Sequence, residues 1–256
     1  RGFIAAVTAL PGNLPAFLAL LLPLVGLHRV LLSLPHLPAL LFQALTMLAL
    51  IGACYGTARA FVQLRAPVRF AYGGTAFFCV LWWYVADTRA VPVYGTVYVL
   101  ALGLALSGLL LAWYALRARY GDMDLKGLGG MVYPMPRFST LLSLLALAAL
   151  GMPPFGLFAG FMGMLLSPGF MPSGAFFVVV LVWFSASWYC IDVLQQIIFG
   201  RQRPDLRYED LHRTEAAALL MIVLLLVGLG TAPSRYFQPG GAPLPDAVAT
   251  KAVTWR

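Results

Sequence analysis

Residues 138–161 read FSTLLSLLALAALGMPPFGLFAGF, and the fold is decided by what happens in the middle of them. An apolar helix runs from Phe138 to Leu150, breaks at Gly151-Met152-Pro153-Pro154, and resumes through Phe155, Gly156, Phe158 and Gly160. Proline lacks the backbone donor and its ring clashes with the preceding turn, so the helix stops there. A helix that stops and restarts inside lipid leaves carbonyls and N–H groups unpaired. Such backbone is tolerated only where protein or a water-filled cavity satisfies it. Broken helices are a common device of ion and solute transporters. Just upstream lie a Gly129-Gly130 pair and a basic step, Met135-Pro136-Arg137-Phe138.

The rest of the chain puts this break in a membrane. Hydrophobic residues make up 61% of the sequence, charged residues 10%, and the mean hydropathy is +0.87. Soluble domains carry about 25% charged residues. Apolar stretches near 3–27, 38–58, 70–86, 93–116, 138–166, 172–199 and 215–233 each approach the length of about 20 residues that a helix needs to cross a bilayer. Barrel strands need only about 10 alternating residues, so these are not strands. The expected fold is all-α: a polytopic transmembrane bundle of seven helices, one of them broken. Residues 1–234 form the bundle, and 235–256 form a Pro- and Gly-rich tail outside the membrane.

The net charge of +8 is a statement about sidedness rather than about nucleic acid. With seven spans, one side collects Arg1, Arg59, Arg65, Arg69, Arg117, Arg119, Lys126, Arg137, Arg201, Arg203, Arg207 and Arg213. The opposite short loops hold Arg29 and Arg89, and the tail adds Arg235, Lys251 and Arg256. The positive-inside rule makes the first side cytoplasmic. The N-terminal end then lies inside and the C-terminus outside, in an inner (cytoplasmic) membrane. The first residue is Arg and no signal peptide precedes the first helix, so the chain is expected to begin within a longer protein.

Catalytic chemistry is not visible. Cys54, Cys79 and Cys190 are isolated in or near apolar spans, without metal or redox spacing, and read as small buried residues. No phosphate loop, Ser/His/Asp arrangement or metal cluster stands out, and no cofactor is implied. Whether the chain belongs to an enzyme is left open.

Asp124-Leu125-Lys126-Gly127-Leu128-Gly129-Gly130 followed by Met135-Pro136-Arg137-Phe138 resembles a signature of the antiporter-like membrane subunits. These are the large proton-pumping subunits of NADH-quinone oxidoreductase (complex I) and their relatives in Mrp-type cation/proton antiporters. The likeness continues through Leu150 to Phe161, and Tyr189 to Phe199-Gly200 resembles the family's next helix, which ends in a Phe-Gly step. The family has fourteen core helices, and the seven here resemble its C-terminal seven.

The departures are as informative. The family's helix resembling span 1 carries a buried lysine, where this sequence has Pro23. Its helix resembling span 4 carries a His and a Lys four residues apart, where this one has Leu102 and Leu106. Relatives place a Glu or Lys in the broken helix where Gly160 stands, and their Asp-x-Lys-Arg step is Arg65-Ala66-Pro67-Val68 here. Proton transfer through a bilayer needs titratable groups close enough for water to bridge, and intramembrane charges are costly enough to be functional where they occur. The resemblance therefore implies a retained scaffold with a degenerate proton path.

Remaining candidates are few. Asp192 reads as an ion-path or helix-pairing acid, or as a carboxylate near the interface bonded to a neighbouring helix. Arg59, Arg65 and Arg69 sit at the cytoplasmic boundary, where snorkelling is the default and a path-lining role is the alternative. Asp87 and Arg89 read as a local pair, His28 as interfacial, and Trp82-Trp83-Tyr84 as an aromatic belt. Gly151, Pro153, Pro154, Gly156 and Gly160 form the broken helix. Arg201, Arg203, Arg207 and Arg213 line a candidate docking loop. Three functions stay open: a membrane subunit of a complex I-like respiratory assembly, the ion-coupling partner of an inorganic-carbon (bicarbonate or CO2) uptake complex, or a non-transporting anchor for a peripheral enzyme. Partners are other membrane and peripheral subunits and lipid, not nucleic acid.

Overall fold

The computed structural model describes residues 39–88, 94–121, 125, 129–166, 174–201 and 209–231, together with Gly26 and Arg29. Seven helices and no strand occur among them: α1 Ala39–Val62, α2 Ala66–Thr88, α3 Gly95–Tyr120, α4 Pro136–Ala149, α5 Gly156–Leu165, α6 Gly174–Ile198 and α7 Arg213–Thr231. Four of these, in α1, α3, α6 and α7, are long and apolar enough to cross a membrane. The seven helices are not the seven expected spans. The stretch 138–166 becomes both α4 and α5, while the first span apart from Gly26, the tail and Pro23 lie outside the described residues.

Lipid tails are as apolar as leucine, so helices in a membrane associate through close packing, which small residues permit. The α1–α2 hairpin shows this: a Cβ added at Gly56 would lie 3.0 Å from the Tyr72 carbonyl oxygen and 3.2 Å from Ala76 Cβ. α3 is the central helix, with α2, α4, α5 and α7 packed around it. Its Ala101, Leu102, Ala105, Ser107, Leu110 and Ala112 are fully enclosed. α6 closes the bundle against α1, α2 and α4.

The break between α4 and α5 is built from local hydrogen bonds. Gly151 N–H donates to Ala148 O at 3.1 Å and Met152 N–H to Leu147 O at 3.2 Å. With Gly151 at φ +70, this is a Schellman stop, which satisfies the last carbonyls of α4. The two prolines that follow prevent resumption until Phe155, extended at φ −80 and ψ 155, starts α5. Met152, Pro153 and Pro154 are nonetheless exposed. α7 passes so close to one side of the break that a Cβ at Gly230 would sit 1.8 Å from the Pro154 carbonyl oxygen.

Two readings of the sequence are corrected by burial. Trp83 and Tyr84 are enclosed in the core rather than forming a boundary belt, because α2 turns this face toward the bundle. Cys54 is exposed on α1 and Cys79 half-buried; Cys190 is buried. Arg89 and His28 lie outside the described residues.

The basic loops gather at one end of the bundle. Leu125 N–H bonds Leu64 O at 3.2 Å, and Met131 and Val132 N–H reach Ile197 and Ile198 O at 3.4 and 3.3 Å. These bonds tie the α1–α2, α3–α4 and α6–α7 connections together. A Cβ at Gly129 would be 2.8 Å from the Arg201 carbonyl oxygen. The Gly-Gly pair and the Phe-Gly step are thus two halves of one backbone contact.

Candidate functional site

Two of the candidate residues meet, although 123 positions separate them. Arg69, in the first turn of α2, donates from Nη1 to Asp192 Oδ2 of α6 at 2.6 Å. Its Nε donates to Gln63 O at 3.0 Å and its Nη2 to Phe61 O at 3.4 Å, so the guanidinium also closes the end of α1. Arg69 is 3% exposed. It does not snorkel; all three nitrogens of the planar fork donate, which is where Arg differs from a point-charge Lys.

Asp192 is held from its own helix as well. Gln196, one turn on, donates from Nε2 to both carboxylate oxygens at 2.9 Å, an i,i+4 pair on a single face. The Gln196 Oε1 atom is buried and has no hydrogen-bond partner among the described residues. Register between α2 and α6 is fixed next door, where Gly73 lies under Tyr189: a Cβ there would come 2.2 Å from the Tyr189 hydroxyl.

Arg59 does not join this cluster. It is exposed on α1 with its guanidinium carbon 5.6 Å from the centre of the Tyr72 ring, a cation–π contact. Arg65 is exposed at the start of α2.

Of the four replaced positions, Pro23 lies outside the described residues and the other three are tightly packed. Leu102 and Leu106 are buried on α3. Leu106 Cδ1 occupies the space above Gly74, 2.4 Å from where a Cβ would be. At Gly160 a Cβ would fall 2.7–2.8 Å from the Cα, Cβ and N of Tyr98. One turn back, a Cβ at Gly156 would be 3.0 Å from Ala101 Cβ and 2.8 Å from Leu229 Cβ. Gly156 and Gly160 form a small-xxx-small seam that lets α5 touch the backbone of α3. The Tyr98 hydroxyl is itself committed, donating to Phe77 O at 2.8 Å.

The loop before α7 divides by charge. Arg201 and Arg213 are exposed; Arg203 and Arg207 lie outside the described residues. Glu209 is exposed as well, but Asp210 and Glu215 are half-buried and bonded to the bundle, which the sequence reading missed. Asp210 accepts from the backbone N–H groups of Arg137 and Phe138, both at 3.2 Å, and of Leu211 at 2.8 Å. It caps α4 from a distant segment, because Met135 has no side chain able to do so. Pro136 opening a helix behind an uncapped methionine was the available signal. Glu215 pairs with Arg119 of α3 and accepts from His212 N–H at 3.1 Å, a capping-box return. Among the described residues no group of His, Cys, Asp and Glu is arranged to hold a metal.

Comparison with known proteins falls on one group. The chain is 28% identical over 228 residues to NADH-quinone oxidoreductase subunit M of Pseudomonas aeruginosa, covering 86% of this chain and 43% of that protein. It is 25% identical over 201 residues to NAD(P)H-quinone oxidoreductase chain 4 1 of a Synechococcus strain, covering 74% and 38% respectively. The chain is similar to the antiporter-like membrane subunits. Its fold agrees. A chain of respiratory complex I from Thermus thermophilus superposes with TM-score 0.66 at 24% identity, over 77% of this chain and 42% of that one. A chain of the Mrp complex from Dietzia superposes with TM-score 0.66 at 17% identity, over 77% and 45%. The chain spans less than half the length of the relatives it matches. No family model matches it.

Proposed function

We propose that the chain is an antiporter-like membrane subunit of a complex I-like assembly, acting as scaffold or coupling element with a degenerate proton path. The observation that carries this reading is the packing at Leu102, Leu106 and Gly160. Where the resemblance leads one to expect His, Lys and a Glu or Lys, Leu102 and Leu106 are buried, Leu106 packs on Gly74, and Gly160 lies against the Tyr98 backbone. A bridging water needs space and two to four polar partners. Leucine and glycine supply no such partners at these three positions.

Asp192 then serves as a helix-pairing acid for Arg69, and the cluster stitches α1, α2 and α6 at the basic end. The chain lies in an inner membrane with its basic end cytoplasmic, as the loop charges favour. Its N-terminal end is cytoplasmic and its C-terminus outside, and residues 1–234 are the bundle. The exposed Arg201 and Arg213 suit the anchoring variant of this reading, in which a peripheral partner docks on the loop.

Purification in mild detergent followed by reconstitution tests both parts. Co-purification with flavin-, iron–sulfur- and quinone-site subunits is expected. A large zinc-bearing soluble partner alone would transfer the chain to carbon uptake. Proton-for-cation exchange by the chain alone in vesicles would sink the degenerate path.

A further inference from the structure

A groove of about 580 Å³ runs between the N-terminal halves of α4 and α7. That volume lies within the range of about 300–1,000 Å³ usual for small-molecule sites. Arg137, Thr140 and Leu141 form one wall; Arg213, Ala217 and Leu220 form the other. Both walls repeat at helical spacing, so each is a single stripe of its helix. The two helices start at the same end, because Asp210 binds the N–H groups of Arg137 and Phe138 three residues before α7 begins at Arg213. The groove therefore has a basic mouth and an apolar floor.

The charge at that mouth is only partly balanced. Asp210, whose carboxylate accepts three backbone N–H groups, sets one negative charge against the two guanidinium groups, and Glu215 is turned to Arg119 on the far side of α7. Arg137 and Arg213 are exposed and have no carboxylate in bonding range among the described residues. Two fixed positive charges at the end of an apolar slot in a membrane helix pair match one ligand chemistry: a negative headgroup with an alkyl chain behind it. Basic pockets between transmembrane helices take anionic headgroups in this manner. The alanines of α7 keep the groove open beside Leu141 and Leu220, which leaves an apolar surface for an acyl chain.

We infer that this groove binds an anionic phospholipid, phosphate on Arg137 and Arg213 and one acyl chain along Leu141, Ala217 and Leu220. The inference rests on membrane residence alone and is independent of whether the proton path is closed.

The test is lipid titration of the purified complex in nanodiscs of phosphatidylcholine, with and without phosphatidylglycerol, read by native mass spectrometry. Phosphatidylglycerol retained on the wild type is expected to weaken about fivefold for Arg137→Gln or Arg213→Gln and about thirtyfold for both. Arg213→Lys keeps the charge and stays near wild type. Ala217→Trp fills the slot with both arginines intact and should also expel the lipid, which keeps the test decisive if the double variant does not assemble. Unchanged retention in these variants, or phosphatidylcholine held as tightly as phosphatidylglycerol, overturns the inference. So does a crosslink from Thr140→Cys to another polypeptide, since the groove would then be a protein interface.

Discussion

Arg69 and Asp192 form a 2.6 Å ion pair whose two ends live in different surroundings. The Arg69 side chain is 4% exposed and that of Asp192 36%. A buried guanidinium that loses its carboxylate is left as an uncompensated charge, which costs about 3–5 kcal/mol. Because Asp192 is partly exposed and Arg69 keeps two carbonyl partners, Asp192→Ala should fall near the lower end, about 3 kcal/mol. Thermal unfolding of the detergent-purified complex measures it. Arg69→Met with Asp192→Leu should recover most of that loss, since apolar replacement of a whole buried pair is often neutral. Loss of proton transport in this double variant, with its stability intact, would instead make Asp192 part of an ion path.

Gly160 is expected to tolerate no side chain. The nearest obstacles are backbone atoms of Tyr98, which cannot rotate away. Gly160→Ala should cost about 1–3 kcal/mol, the usual penalty of overpacking. Gly228 is the control: it lies within α7 with nothing inside 4 Å of an added Cβ. There Gly→Ala should stabilise by about 0.5–1 kcal/mol through backbone entropy. Equal effects at the two positions would remove the close-seam account of the α3–α5 contact.

The contrast between these two glycines shows where the sequence was readable. Helix positions, the break at Gly151-Met152-Pro153-Pro154 and the basic end of the bundle all depend on local pattern: apolar length, proline, and charge by loop. What local pattern lacks is azimuth. Arg69 sits at a boundary and read as a snorkelling residue, yet the face it occupies is set by Gly73 fitting under Tyr189. Trp83 and Tyr84 misled for the same reason. Gly160 was noticed as a missing charge, whereas its structural content is a missing Cβ. Asp210 went unread because its loop was taken by its arginines, and its partner lies 72 residues upstream.

Restoring a single charge should not restore a path. Leu106→Lys would place an ammonium beside Gly74 and buried Leu102, with no acid nearby on α2 or α3 to receive it. An unpaired Lys at the centre of a membrane helix costs about 2.5–3.5 kcal/mol by insertion scales. The expected outcome is less assembled complex and no added proton flux in reconstituted vesicles. A rise in flux at normal assembly would show that a hydrated route survives beside α3.

Asp210 offers a separable test of the loop. Its carboxylate caps α4 through two N–H groups and sits at the positive end of that helix. Asp210→Ala should cost about 0.5–2 kcal/mol, as removal of an N-cap does elsewhere. Asp210→Asn keeps one acceptor and should lose less. Because the break at Gly151 isolates α4 from α5, the damage should be confined to the first turns of α4. Hydrogen exchange would then rise near Phe138 and Ser139 while α5 stays protected. Uniform loss of protection through α4 and α5 would mean that the two halves unfold as one helix, and that the Schellman stop does not separate them.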